Sequence, residues 1–118
     1  MGQLSGLEDK KNIYKQAVET LSDSNITTLI LVSRPEKSPL DEASRASNEL
    51  LELGVSNQVM VINGALESYD DDISKSLFDK QQSAIKQMPE ALNNIKKYMI
   101  PLRSYNITGI DNIRKFLT

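Results

Sequence analysis

Amphipathic stretches alternate with short apolar runs along this chain. Leu7, Tyr14, Ala17, Val18 and Leu21 fall on one helical face, which predicts a helix over about residues 6–22. Ser5-Gly-Leu-Glu8 has the form of a capping box at its start, and Asp23-Ser-Asn25 supplies turn residues at its end. Thr27-Thr-Leu-Ile-Leu-Val-Ser33 then runs without alternation. A run of that kind predicts a strand buried on both faces, as in the parallel sheets of α/β proteins. Arg34-Pro-Glu-Lys37 reads as the loop beyond it.

The pattern repeats twice. Ser38 is the expected cap of a second helix, with Pro39 at the first helical position and Asp41 near the positive end of the dipole. Leu40, Ala43, Ala46/Ser47, Leu50 and Leu53 form its apolar stripe, and Gly54 stands where a left-handed residue ends a helix. Gln58 to Ile62 is a second buried strand, ending in Asn63-Gly64. Residues 67–72 read as an acidic loop. Ile73, Leu77, Phe78, Ala84, Ile85 and Met88 define a third helix over about 73–87, and Pro89-Glu-Ala-Leu92 adds a short turn. Lys97 to Pro101 is a third strand, followed by a loop over Arg103 to Asn106. Thr108-Gly-Ile-Asp111 caps a last helix carrying Ile110, Ile113, Phe116 and Leu117. The order α-β-α-β-α-β-α, with crossovers long enough for parallel pairing, predicts one α/β domain of about three parallel strands flanked by helices. So small a sheet leaves an edge without a neighbour, which invites self-association.

Composition narrows the chemistry. The chain has 118 residues, 39% of them hydrophobic and 25% charged, with a formal net charge of −2. That balance argues against nucleic acid as a partner, because phosphate neutralisation needs a basic face. There is no Cys, so disulfides, thiol catalysis and thiolate metal sites are excluded. There is no His, which removes the commonest metal ligand and general base. Ser33, Ser38 and Ser104 therefore have no imidazole to activate them. No apolar run reaches the ~20 residues of a membrane span. Nothing matches G-x-x-x-x-G-K-[ST], the loop that cradles nucleotide phosphates.

In open parallel sheets, ligands sit beyond the C-terminal ends of the strands. Three loops qualify here: Arg34-Pro-Glu36, Asn63-Gly64 and Pro101-Leu-Arg103. The Asn63 side chain offers a donor and an acceptor, which suits the N6/N7 edge of adenine; on the residues alone, a turn selected for its backbone is the favoured reading of Asn63-Gly64. Glu36 can accept from a hydroxyl or stand as a solvated carboxylate near a helix start. Pro101 and Leu102 give either an apolar wall for a base or simply a strand end. Arg103 is a phosphate or carboxylate partner, or a solvated charge. Asp70-Asp71-Asp72 does not fit a calcium loop, lacking the later bidentate Glu.

Several pieces in order resemble one known family. They are Gly6-Leu-Glu-Asp-Lys-Lys11, Ala17-Val-Glu-Thr-Leu-Ser-Asp23, Leu31-Val-Ser-Arg-Pro-Glu36, Asn48-Glu-Leu-Leu-Glu-Leu-Gly54, Val61-Ile-Asn-Gly64, and Ile100-Pro-Leu102 followed by Gly109-Ile110. Together they resemble the C-terminal portion of one ATPase half of the arsenite-pump, or anion-transporting, ATPases. The resemblance implies a partial three-layer P-loop NTPase-type fold without its phosphate loop. It implies a parent that uses ATP and Mg²⁺ to drive arsenite or antimonite export through a membrane pump, in the cytoplasm. Asn63 then corresponds to the family's adenine-recognising Asn, and Glu36 to its nucleotide-site Glu at the matching separation of 27 positions. Pro101 and Leu102 correspond to the loop lying against the base. The remainder of the ATPase domain and a second ATPase half are the expected partners, and the chain alone is expected to be catalytically inactive. The related factors that target tail-anchored proteins carry Cys-x-x-Cys after the strand matching Val59–Asn63, a motif missing here. Two other readings stand beside this one: a stand-alone interaction module, and a receiver-like domain, for which the strand ends lack the acidic pocket.

Overall fold

β2 is the centre of the molecule. In the computed structural model, which describes residues 2–104 and 108–117 with side chains from Gly6 onward, β2 (Gln58–Ala65) lies between β1 (Leu29–Ser33) and β3 (Lys96–Pro101). Both pairings are parallel, as the unbroken apolar runs predicted. Among the described residues four helices alternate with these strands along the chain: α1 (Gly2–Ser22), α2 (Lys37–Glu52), α3 (Asp72–Lys86) and α4 (Gly109–Leu117). A single 3-10 turn, Glu90–Leu92, precedes β3.

The core forms where α2, α3 and the 3-10 turn cover one face of the sheet. Leu40 and Ala43 of α2, Met60 and Ile62 of β2, and Leu92 are buried, with Leu31, Ala84, Met88 and Ile95 packed against them. A polar clamp sits beside this apolar cluster. The Ser47 hydroxyl donates to Gln58 Oε1, and the Gln58 amide donates to the carbonyls of Ser47 and Val55. Both residues are buried, so every bond in the clamp spares an otherwise stranded polar group. It fixes α2 to the start of β2 in a way a purely apolar contact, being non-directional, would not.

Three local expectations are corrected. α1 runs through Ser5 from Gly2, so Ser5 does not begin the helix; its side chain lies outside the described residues. α2 begins at Lys37 with Glu36 as its extended N-cap, not at Ser38. Pro39 therefore occupies the third helical position. It is tolerated there because the first four N–H groups of a helix have no intrahelical partner in any case. β1 is not buried on both faces: Ile30 is 57% exposed and Val32 67%. By register they align with Val59 and Val61, and then with Lys96 and Tyr98, on the face opposite the core. None of the covering helices lies there, so the apolar run makes a one-sided strand among the described residues.

The outer helices share this exposure. Leu7, Ile13, Tyr14 and Leu21 of α1 are exposed, as are Ile110, Ile113 and Leu117 of α4. The Cα radius of gyration is 19.3 Å, against about 13–14 Å for a compact chain of this length. α1 is nevertheless anchored at its end. The Asn57 side chain donates to the carbonyls of Ser24 and Thr27 and to the Thr28 hydroxyl, and the Thr27 hydroxyl donates to the Thr20 carbonyl. The loop read over 103–106 is described only as far as Ser104.

Ser47→Ala leaves Gln58 Oε1 without its donor in a buried site, so it destabilises the fold by about 1–2 kcal/mol. A shift of the urea midpoint at unchanged slope checks this.

Candidate functional site

Two strand ends meet in a small shelf. Asn63 pairs with Ile100, the register then slips by one residue, and Ala65 pairs with Pro101. Gly64 takes up the slip with a φ of +84°, a left-handed conformation that residues with side chains rarely adopt. The slip also solves a donor problem. Pro101 has no N–H to give to β2. The next donor, Leu102 N–H, reaches the Ala65 carbonyl at 2.9 Å instead. An atom placed at the Gly64 Cβ position would sit 4.0 Å from Leu102 Cδ1, so the leucine side chain lies over the glycine.

The shelf presents three of the residues singled out from sequence. Asn63 is exposed, and its side-chain amide has no hydrogen-bond partner among the described residues. Leu102 is 58% exposed, and Pro101 is half-buried. A free amide beside an uncovered apolar wall can hydrogen-bond the edge of a flat heterocycle while its face lies on carbon.

Glu36 and Arg103 are engaged elsewhere. Glu36 caps α2, its carbonyl accepting from Leu40 N–H, and its carboxylate lies 3.1 Å from Arg34. Both side chains are well exposed, so that pair contributes little to stability. With Pro35 and Lys37 it borders a cavity of about 910 Å³ whose other wall is α3, including Lys75, Lys80 and Gln81. Asn63, Pro101 and Leu102 do not line that cavity. The Arg103 guanidinium lies 5.4 Å from the Phe116 ring centroid, a cation–π contact that ties the β3 exit to α4.

Sequence reasoning passed over two features. Gln81 is the one buried residue described in α3, although it is polar. Its position among Leu77, Phe78, Ala84 and Ile85 was the available signal: an amide set on an apolar stripe. Asp71, read as part of an acidic loop, caps α3. Its carboxylate accepts from Ser74 N–H at 2.6 Å, and the Ser74 hydroxyl accepts from Asp71 N–H, closing a capping box. No cluster of His, Cys, Asp or Glu suited to a metal exists among the described residues.

Three parallel strands in one open sheet, joined through helices, are consistent with a partial P-loop NTPase-type α/β fold, and the family match carries that assignment. The chain belongs to the anion-transporting ATPase family, whose profile it matches over residues 2–118. It is 34% identical to the arsenical pump-driving ATPase of Acidiphilium multivorum over 99% of its own length, and 34% identical to that of Escherichia coli over its whole length. Identity to ATPase GET3A of Arabidopsis thaliana is 27% over 98% of the chain, covering 33% of that protein. The chain spans about a fifth of the two pump-driving relatives, 21% of each.

Hydrogen bonds from Ser74, side chain first and then backbone, hold the Asp71 carboxyl below its ordinary value of 3.8. Its contribution to stability is therefore present above the unfolded value and is lost as pH falls through the lower folded one. In an acid titration of the urea midpoint, Asp71→Asn, which keeps the cap but cannot ionise, should decline less steeply below about pH 4 than the unaltered chain.

Proposed function

We propose that this chain is the adenine-facing segment of an ATPase that drives arsenite or antimonite export through a membrane pump. The observation that carries the reading is the Asn63 amide, unpartnered at the end of β2 beside the exposed Leu102. In this reading Asn63 donates to and accepts from the N6/N7 edge of adenine, and the Pro101-Leu102 wall supports the ring face. Glu36, at the neighbouring strand end, exchanges its Arg34 partner for the nucleotide in this reading. Arg103 holds the β3 exit loop against α4 and leaves the phosphates to other residues. Mg-ATP supplies the cleavable phosphoryl group when bound. The groups that grip the phosphates and Mg²⁺ belong to the remainder of the ATPase domain, and a second ATPase half completes the parent. The uncovered sheet face around Ile30, Val32 and Tyr98 supports that partnership, since such an apolar face is stabilised by being covered. In this reading the parent works in the cytoplasm, against its membrane pump.

The pump reading is favoured over a relative that targets tail-anchored proteins. The chain has no Cys, and its 34% identity to the pump-driving ATPases of Acidiphilium multivorum and Escherichia coli exceeds the 27% to GET3A.

On its own the chain keeps only the base contacts. It should hydrolyse no ATP, and Mg-ATP should leave its Tm almost unmoved. Adenosine titrated into the labelled chain should still give weak, saturable NMR shifts at the Asn63 side-chain amide and the Leu102 N–H, abolished by Asn63→Ala. Shifts confined to α3, or none at saturating nucleoside, would contradict the reading.

A further inference from the structure

We propose that Gln81 of α3 is the positioning residue of this shelf, standing in for the strand neighbour that β2 lacks where it carries Asn63. The inference rests on the adenine-facing reading for its functional meaning, and on backbone geometry for its substance.

β2 is longer than the strand beside it. β1 ends at Ser33, paired with Ile62, while β2 continues to Ala65. Beyond Ile62 the β1 side of β2 has no ladder partner. In an extended strand the carbonyl of one residue and the N–H two residues later point to the same side. Gly64 C=O and Leu66 N–H are such a pair, and the Ala65 carbonyl points the other way, to Leu102 N–H on the β3 side. Two buried or half-buried polar groups on the β1 side thus need partners.

Gln81 provides both. Its Oε1 accepts from Leu66 N–H at 2.8 Å, and its Nε2 donates to the Gly64 carbonyl at 3.4 Å. A primary amide carries the same donor and acceptor as a peptide group, so one side chain can replace a strand's peptide. Gln81 is 6% exposed, which makes these bonds hard to exchange for water. The turn at Gly64 is therefore clamped from both sides, by Leu102 N–H and by Gln81. Asn63 and Leu102, the two groups offered to the base, are the residues next to that clamp. Gln81 also borders the cavity beside Glu36, so α3 links that cavity to the shelf.

The test uses this chain with three variants. Gln81→Leu keeps size and removes both bonds. Gln81→Glu can still accept from Leu66 N–H but cannot donate to Gly64. Ser47→Ala weakens the fold at a buried hydrogen bond remote from the shelf and serves as the control. Without ligand, Gln81→Leu should speed amide exchange of Leu66 by about tenfold and shift the Asn63 and Leu102 signals. Gln81→Glu should retain most of the Leu66 protection, and Ser47→Ala should leave all three at the change expected from stability alone. With adenosine, Gln81→Leu should raise Kd by about fivefold, with the Glu variant between it and the unaltered chain. Unchanged Leu66 exchange and unmoved Asn63 and Leu102 signals in Gln81→Leu would overturn the proposal. So would an equal effect from Ser47→Ala at the same loss of Tm. Absence of adenosine binding by the unaltered chain would defeat the adenine reading instead, and the ligand-free exchange would still decide whether Gln81 positions the shelf.

Discussion

The left-handed turn at Gly64 is the constraint on which the strand-end geometry depends. It inserts one residue into the β2–β3 register just where Pro101 can no longer donate, and so hands the ladder on to Leu102. The consequence is spatial. Asn63 is held at the last regular pair, and Leu102 is folded over the glycine beside it. A side chain at position 64 would face a backbone conformation costly to any residue with a Cβ. The polar and apolar halves of the shelf are thus products of one backbone event.

The second determinant is the asymmetry of the sheet. On one side, Met60 and Ile62 are wholly buried under Leu40, Ala43 and Leu92, with the Ser47–Gln58 clamp setting the angle of α2. On the other, Ile30, Val32 and Tyr98 stand open. Burying an aliphatic side chain stabilises by about 1.5–3 kcal/mol. The open face is therefore a sizeable unused driving force for packing, and α1 and α4 leave similar apolar residues exposed. Buried packing is concentrated around β2 and its covered face, which is also where the shelf is rooted.

Much of this was legible in the chain because the signals were local. Unbroken apolar runs gave parallel strands, helical spacing gave the helices between them, and Gly54 marked the end of α2 with a φ of +88°. What failed was whatever depended on context. The run Leu29 to Val32 looks the same whether one face or two is covered, since hydrophobicity records a potential for burial and not its partner. Ser38 and Pro39 are good start residues at more than one helical position, so they could not fix the boundary to within a residue. Asp71 is indistinguishable from its acidic neighbours until Ser74 is seen to answer it. At the site, the ordered family resemblance pointed to Asn63, Pro101 and Leu102, which lie at the ends of the neighbouring strands β2 and β3, where Asn63 pairs with Ile100 and Ala65 with Pro101. Glu36 caps α2 and pairs with Arg34 beside the α3 cavity, and Arg103 turns to Phe116. Gln81 escaped notice because its bonds join segments far apart in sequence, and only the tertiary fold shows that an amide in an apolar stripe is satisfied by backbone.

The central claim is that the Asn63–Leu102 shelf meets the adenine ring. Photolabelling the chain with an azidoadenine nucleotide, followed by peptide mapping, tests it most directly. The account predicts label on the peptides carrying Asn63 or Leu102, displaced by excess adenosine. Label confined to the α3 wall of the cavity around Lys75 and Lys80, or label that adenosine fails to displace, would contradict it.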